Sequence, residues 1–289
     1  MSGGWWGCSP ALAGSGSGSG SGFGCLIVHL LISPPPPAPQ AGSAAIVGNL
    51  IGDAAAVTSH WVYDQNTLAS HVASIGGEGS APFMAPINPF YHVTVGENSC
   101  YGDQTWGLLD AMATKGGLNL EEYRANLTSL MGGESPYGPL GRTIAQEDMP
   151  IQGPWRHGSM KTFFANAADA SVAMDDKQID GACKMPPLVA SFGGDTAAML
   201  AAAEETIRVT QDTDEAVAMG LAFARILESL IYKRAATPLD AVEMCIDDLR
   251  DEDRLQPNEL DDELSDHLEE MLELIDVDLL TAGSRLGLS

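Results

Sequence analysis

An all-α fold is predicted from three features of the sequence. From Ala41 almost to the end, Ala, Leu, Ile and Met recur at spacings of three and four. Helix start signals fall at matching intervals, and no run of strand length alternates polar with apolar residues. The periodicity predicts helices near 43–58, 64–73, 103–114, 120–131, 159–173, 178–190, 196–209, 213–232, 238–249 and 258–275.

Taken in order, the segment 1–40 comes first and contributes no helix. It holds no Asp, Glu, Lys or Arg, and its Gly-Ser repeat and proline run are flexible coil and extended polyproline, neither of which builds a core. The stretch from Cys25 to Ile32 has the length of a signal-peptide core but lacks a preceding Lys or Arg, and no stretch reaches the 18 or so consecutive apolar residues of a membrane span. Residues 41–249 form the predicted helical domain. Asn119 with Glu122 reads as a capping box, and Thr237-Pro238 as an N-cap followed by proline at the first helical position. Within 213–232, Ala216, Met219, Phe223, Ile226, Leu227 and Leu230 make an apolar stripe, widened by Val217 and Leu221, that marks the central core helix. The last segment, 250–289, belongs to an acidic stretch: 15 acids against Arg250 and Arg254 between Asp247 and Asp278, with Leu260, Leu264, Leu268, Met271, Leu272 and Ile275 at helical spacing. It reads as a packed helix with a solvated acidic face, and less readily as a partner-binding tail.

Charge narrows the function. With 14 Lys and Arg against 39 Asp and Glu, the net charge of -25 repels nucleic acid and anionic membranes, so neither is an expected partner. The five cysteines, Cys8, Cys25, Cys100, Cys183 and Cys245, include no C-x-x-C pair, which argues against a disulfide framework or zinc site and suits a reducing, cytoplasmic setting. Two long loop regions, Gly76–Tyr101 and Gly132–Gly158, carry Phe83, Phe90, Tyr91, Tyr137 and Trp155, and aromatics in such loops mark them as walls of a pocket.

Two clusters carry candidate chemistry. Gly48-Asn49-Leu50-Ile51-Gly52-Asp53 puts small residues on a helix, where other backbone can approach, and an Asp able to receive hydrogen bonds from a loop; His60-Trp61 follows. Asn98-Ser99-Cys100-Tyr101-Gly102-Asp103-Gln104-Thr105 gathers oxygen donors at a helix start, which suits Mg²⁺, although N-capping by Asp103 explains the same letters.

Together with Asp180-Gly181-Ala182-Cys183-Lys184-Met185-Pro186-Pro187 and Thr210-Gln211, these stretches occur in the order found in the ADP-ribosylglycohydrolase family. The sequence resembles most the branch containing the J-type crystallins, through His60-Trp61, Tyr101-Gly102-Asp103-Gln104 and Trp155-Arg156-His157-Gly158-Ser159-Met160-Lys161. The resemblance runs from about Ala41 to Leu249. It implies a compact orthogonal helical bundle, Mg²⁺, and cleavage of the glycosidic bond between ADP-ribose and an acceptor, through an oxocarbenium-like transition state. Carried over, it makes Asp103 and Gln104 metal ligands, His60 and Asp103 the catalytic pair, and Asp180, Gly181, Ala182, Gln211, Trp155 and His157 substrate-binding residues.

The chain departs from the family's pattern. The T-D-D-T motif is matched by Gly102-Asp103-Gln104-Thr105, His60 stands where relatives carry an acid, and the C-terminal G-G-D-T-D motif has no counterpart after Leu249. Gly193-Gly194-Asp195-Thr196 imitates that motif in the wrong place, so Asp195 reads as an N-cap. The expected function is a hydrolase with a weak or partial Mg²⁺ site and low or absent activity, the alternative being a non-catalytic structural or nucleotide-binding protein that keeps the fold.

Overall fold

The computed structural model of the chain describes residues 38–74, 84–232 and 234–274. The Gly-Ser repeat, the proline run, Phe83 and the residues after Leu274 lie outside them. The regular structure of the described residues is almost entirely helical: α1 (Ala38–Ala56), α2 (Gln65–Ser74), α3 (Cys100–Lys115), α4 (Leu120–Met131), α5 (Gly158–Ala168), α6 (Met185–Phe192), α7 (Thr196–Ile207), α8 (Asp214–Ile231), α9 (Pro238–Arg250) and α10 (Asp261–Glu273). Their only sheet is a two-residue parallel pair, β1 (Tyr91–His92) beside β2 (Ile151–Gln152), which staples the two aromatic loops together.

Local chemistry sets most helix ends. Ser99 caps α3, Asp195 α7 and Thr213 α8, each accepting from a first-turn backbone N–H, and α9 begins with a full capping box between Thr237 and Asp240. Asn119 caps α4 through the Glu122 amide, but the second half of the expected box is not made, because the Glu122 carboxylate turns instead to Lys115 at 2.8 Å. The predicted helix over 159–173 ends at Ala168, where the Asp169 carboxylate accepts from the amide and hydroxyl of Ser171 and turns the chain. The segment predicted as one helix over 178–190 is two: a 3₁₀ turn over Ile179–Lys184, then α6, whose start is set by Pro186 and Pro187.

Helix α8 lies at the centre, surrounded by α6, α7, α9 and the Ile179–Lys184 turn. Ala216, Val217 and Leu221 of the predicted stripe are buried, but Phe223 remains 37% exposed and Ala224 and Ile231 are buried as well, so the core face is rotated away from Phe223. Small residues cause the rotation. A Cβ on Gly220 would sit 2.4 Å from Ile207 Cδ1, so neighbouring elements reach the α8 backbone along a face that has no large side chain to announce it. The acidic end behaves as expected where it is described. Leu264 and Leu268 of α10 pack against Ala222, Cys245 and Leu249, while Arg250 binds Asp266 and Glu269 on the wet face.

The close approach of α1 is made by Gly42, whose Cβ would meet Ala190 Cβ at 2.9 Å, and not by Gly48 or Gly52, which face open space. The 21-residue window Pro39–Ser59 has a mean hydropathy of 1.2 and is long and apolar enough to cross a membrane, a property hidden from a count of consecutive apolar residues by its interspersed Gly, Ser and Asn. In this fold α1 packs on α3 and α6.

One buried charge joins α7 to α8. Glu228, 2% exposed, accepts from the Gly194 amide at 2.7 Å and the Thr196 hydroxyl, and pairs with Arg234 at 2.6 Å. Glu228→Ala leaves these donors unpaired and is expected to cost about 2–4 kcal/mol in denaturant unfolding, with Glu228→Gln recovering part of the loss.

Candidate functional site

Asp53, at the end of α1, organises the start of α3. Its carboxylate accepts from the Ser99 amide at 2.7 Å, the Ser99 hydroxyl at 2.5 Å and the Asn98 side-chain amide at 3.0 Å. The approach requires glycine at 102, because a Cβ there would lie 2.4 Å from both Asp53 Oδ2 and Asn98 Nδ2. One turn further on, the Thr105 hydroxyl donates to the Cys183 carbonyl at 2.6 Å and accepts from Asn49 at 3.1 Å. The α3 start and the loop opening at Asp180 are therefore packed together, as the family order implies.

Asp103 stands in the first turn of α3, and the Tyr137 hydroxyl donates to it at 2.7 Å. Burial lifts its carboxyl to about 6; the bond from Tyr137 opposes the shift, and the charges of Asp53 and Glu97 add to it. The N-cap of α3 is Ser99, so capping does not explain Asp103. Asp180 is buried and receives the Ser159 hydroxyl at 2.6 Å, and burial raises its carboxyl too.

Beside these acids lies a hollow of about 360 Å³, lined by Trp61, Tyr63, Phe90, Tyr101, Trp155 and His157. The two loops predicted to wall a pocket do so, through Phe90 from one and Trp155 and His157 from the other. His60 stacks on Trp61 with ring centroids 4.4 Å apart and meets the Tyr91 hydroxyl through Nδ1 at 3.0 Å. Burial lowers its pKa against the opposing pull of Asp53. His157 is 4% exposed, neither ring nitrogen has a partner among the described residues, and burial, reinforced by His60 and Lys161, pushes it down to about 3. Both rings are thus neutral in ordinary buffers. Trp155 carries the Lys161 ammonium 4.7 Å above its ring.

Other sequence candidates serve the frame. Gln104 is fully buried, with its side-chain amide on the Cys100 carbonyl at 3.2 Å. Gln211 is equally buried and binds the Gln178 carbonyl at 2.7 Å, clamping the strand of chain before Asp180. Gly181 is buried, and a Cβ there would lie 3.1 Å from Ile207, so its small size lets the turn settle on α7 and α8 instead of presenting backbone to an anion. Ala182 is half-buried in the same turn. Sequence reading makes Tyr137 a pocket wall without its bond to Asp103, and gives no role to Tyr101 or Lys184. The last is fully buried with its ammonium on the Thr210 hydroxyl, and burial lowers its pKa. The hydroxyl and ammonium partners come from 26 and 34 positions away, so no local spacing reveals them.

Residues 40–285 match the model of the family described as ADP-ribosylglycohydrolase. The chain belongs to the ADP-ribosylglycohydrolase family. The match continues past Leu249, where the motif resemblance ended. Two relatives from Tripedalia cystophora are crystallin J1A, 30% identical over 197 residues, and crystallin J1B, 30% identical over 191 residues. The matched stretches cover 67% and 65% of this chain but only 59% and 57% of the crystallins.

The side chains present do not fit the Mg²⁺ that the ADP-ribosylglycohydrolase resemblance implies. Both oxygens of Asp53 are taken by Ser99 and Asn98, Gly102 has no hydroxyl, Gln104 is turned into the core and Thr105 is held by Cys183. Among the described residues no group of three His, Cys, Asp or Glu side chains is placed to hold a metal.

The raised pKa of Asp103 sets a pH test. An acid raised from 3.8 to about 6 on folding favours the folded state fully only below the lower value, and this advantage is lost as pH rises through 6. Asp103→Asn keeps an acceptor for Tyr137 without the buried charge. Its Tm is expected to exceed the wild type by about 2–6 °C at pH 8, with the gain shrinking below pH 6.

Proposed function

We propose that this family member binds an ADP-ribosyl group in the aromatic hollow and cleaves its glycosidic bond weakly or not at all. Cleavage of such a bond needs a proton donor for the leaving group and a second, ionised group to steady the oxocarbenium-like centre or activate water. Asp103, half-protonated near pH 6, suits the first role. Nothing suits the second. The observation that carries the reading is the engagement of both Asp53 oxygens by Ser99 and Asn98, with Glu97 turned to the Thr94 amide at 2.9 Å. Asp180 is 4% exposed and held by the Ser159 hydroxyl. His60, neutral and bonded to Tyr91, has no lasting negative charge to offer.

Binding is better provided for. Trp61, Tyr101 and Trp155 offer π faces to a base, His157 keeps two unpartnered nitrogens, and Lys161 places a cation at the rim. That cation matters for a diphosphate approaching a chain of net charge -25. The name crystallin borne by two relatives accords with a non-catalytic use of the fold.

Calorimetry with ADP-ribose, with Mg²⁺ and with EDTA, tests this. Equal affinities in both buffers are expected, with Trp61→Ala weakening binding about tenfold, since stacking is worth ~1–3 kcal/mol per base. Binding that requires Mg²⁺, or rapid release of ADP-ribose from a modified acceptor, would overturn the reading; so would the absence of binding.

A further inference from the structure

Next to the aromatic hollow, under residues 139–144, lies a larger cleft of about 700 Å³ whose chemistry is different. Its body is apolar, built from Leu140, Ile144, Ile151, Pro154 and Phe164 with Trp155 as the wall shared with the hollow. None of its fifteen lining residues is acidic and three, Arg142, Arg156 and Lys161, are basic, in a chain where acids outnumber bases 39 to 14. Cations gathered without a carboxylate contrast with Arg208, Arg234, Arg250 and Arg254, each of which is paired with an acid.

The three cations do different work. Arg156 spends its donors on the carbonyls of Met131, Gly132, Tyr137, Gly138 and Pro139, so it fastens the wall of the cleft and leaves an uncompensated positive charge behind it. Arg142 and Lys161 have no carboxylate or carbonyl acceptor for their side chains among the described residues, and Lys161 is steadied over Trp155 with its N–H groups unspent.

We propose that this cleft binds an apolar anion, a single carboxylate or sulfonate carried on an aliphatic or aromatic body. The volume falls in the ordinary range for small-molecule sites, roughly 300–1,000 Å³. A neutral apolar guest would bury the cations without giving their donors a partner, a desolvation cost that a carboxylate at the rim removes. A doubly charged phosphate ester would have to leave water for a mostly hydrocarbon wall, whereas one anionic oxygen group at the Arg142–Lys161 edge leaves the rest of the guest on Leu140, Ile144, Ile151 and Phe164.

The test compares decanoate, below its micelle concentration, with neutral decanamide by calorimetry on the full chain. Decanoate is expected to bind at least about tenfold more tightly, and Lys161→Gln and Arg142→Gln are each expected to weaken it about three- to tenfold while leaving decanamide unchanged. Leu140→Asp, at a side chain 48% exposed and so tolerant of change, is expected to abolish decanoate binding and spare ADP-ribose binding; Trp61→Ala should do the reverse. Equal affinity for the acid and the amide, indifference to both charge substitutions, or no binding of decanoate would overturn the proposal. Because the two ligands answer to different variants, failure here is distinguishable from failure of the ADP-ribosyl reading.

Discussion

The carboxylate of Asp53 is the interaction on which the arrangement of the site depends. It takes three hydrogen bonds, from the amide and hydroxyl of Ser99 and the side chain of Asn98, and each bond to an ionised acceptor contributes ~1.5–3 kcal/mol. The negative charge also lies at the N-terminus of α3, where the helix macrodipole favours it. α1 and α3 are locked in one relative position as a result. The bond network running from Asn49 through Thr105 to the Cys183 carbonyl then adds the Ile179–Lys184 turn to the same unit. Tyr101, Asp103 and Asp180 take their places from this knot, and Tyr137 is drawn in by its bond to Asp103.

Around that knot the cleft is kept electrically quiet in a protein that is otherwise strongly negative. Burial raises Asp103 and Asp180 toward their neutral forms and lowers His60 and His157 toward theirs. All four groups are pushed toward their neutral forms chiefly by desolvation, with no ion pair among them. The neighbouring cleft solves a different problem. There the positive charge of Arg156 is satisfied by five carbonyls and stays uncompensated, and Arg142 and Lys161 add to it. Trp155 and Lys161 stand on the boundary, so a neutral aromatic space and a cationic apolar one share a single wall.

The helices were legible in the sequence wherever their ends depend on near neighbours. Caps at Asn119, Asp195 and Thr237 act over three or four residues, so their letters carry the whole cause. The burial of α8 was harder to read, because Gly220 and Ala224 admit neighbours without displaying any apolar bulk. The candidate site divides along the same line. His60, Trp155 and His157, found from motif order, stand in one aromatic group with Trp61, while Asp103 is bonded to Tyr137 and Asp180 to Ser159. Gln104, Gly181 and Gln211 occupy the expected positions in sequence but turn toward the core, since side-chain direction depends on which surface of the helix or turn the rest of the fold covers. Tyr137 and Lys184 have partners supplied from distant parts of the chain, and no spacing rule reaches that far.

The departures from the family's T-D-D-T motif are consequently coupled. The glycine at 102 is more than a missing hydroxyl, for Asp53 and Asn98 fill the space that any side chain there would need, 2.4 Å from its Cβ. A threonine at 102 would have to push Asp53 away from Ser99, and with it the bonds that start α3. An aspartate at 104 would be set where Gln104 is fully buried against Cys100, paying the desolvation cost of a charge with no cation beside it. Positions 103 and 105 keep the family's letters, and each of the two that differ is closed to it, 102 by Asp53 and Asn98 and 104 by the core around Cys100. The divergence is therefore a single repacked state of the α3 start, in which a set of oxygen donors has been exchanged for a hydrogen-bonded joint between helices.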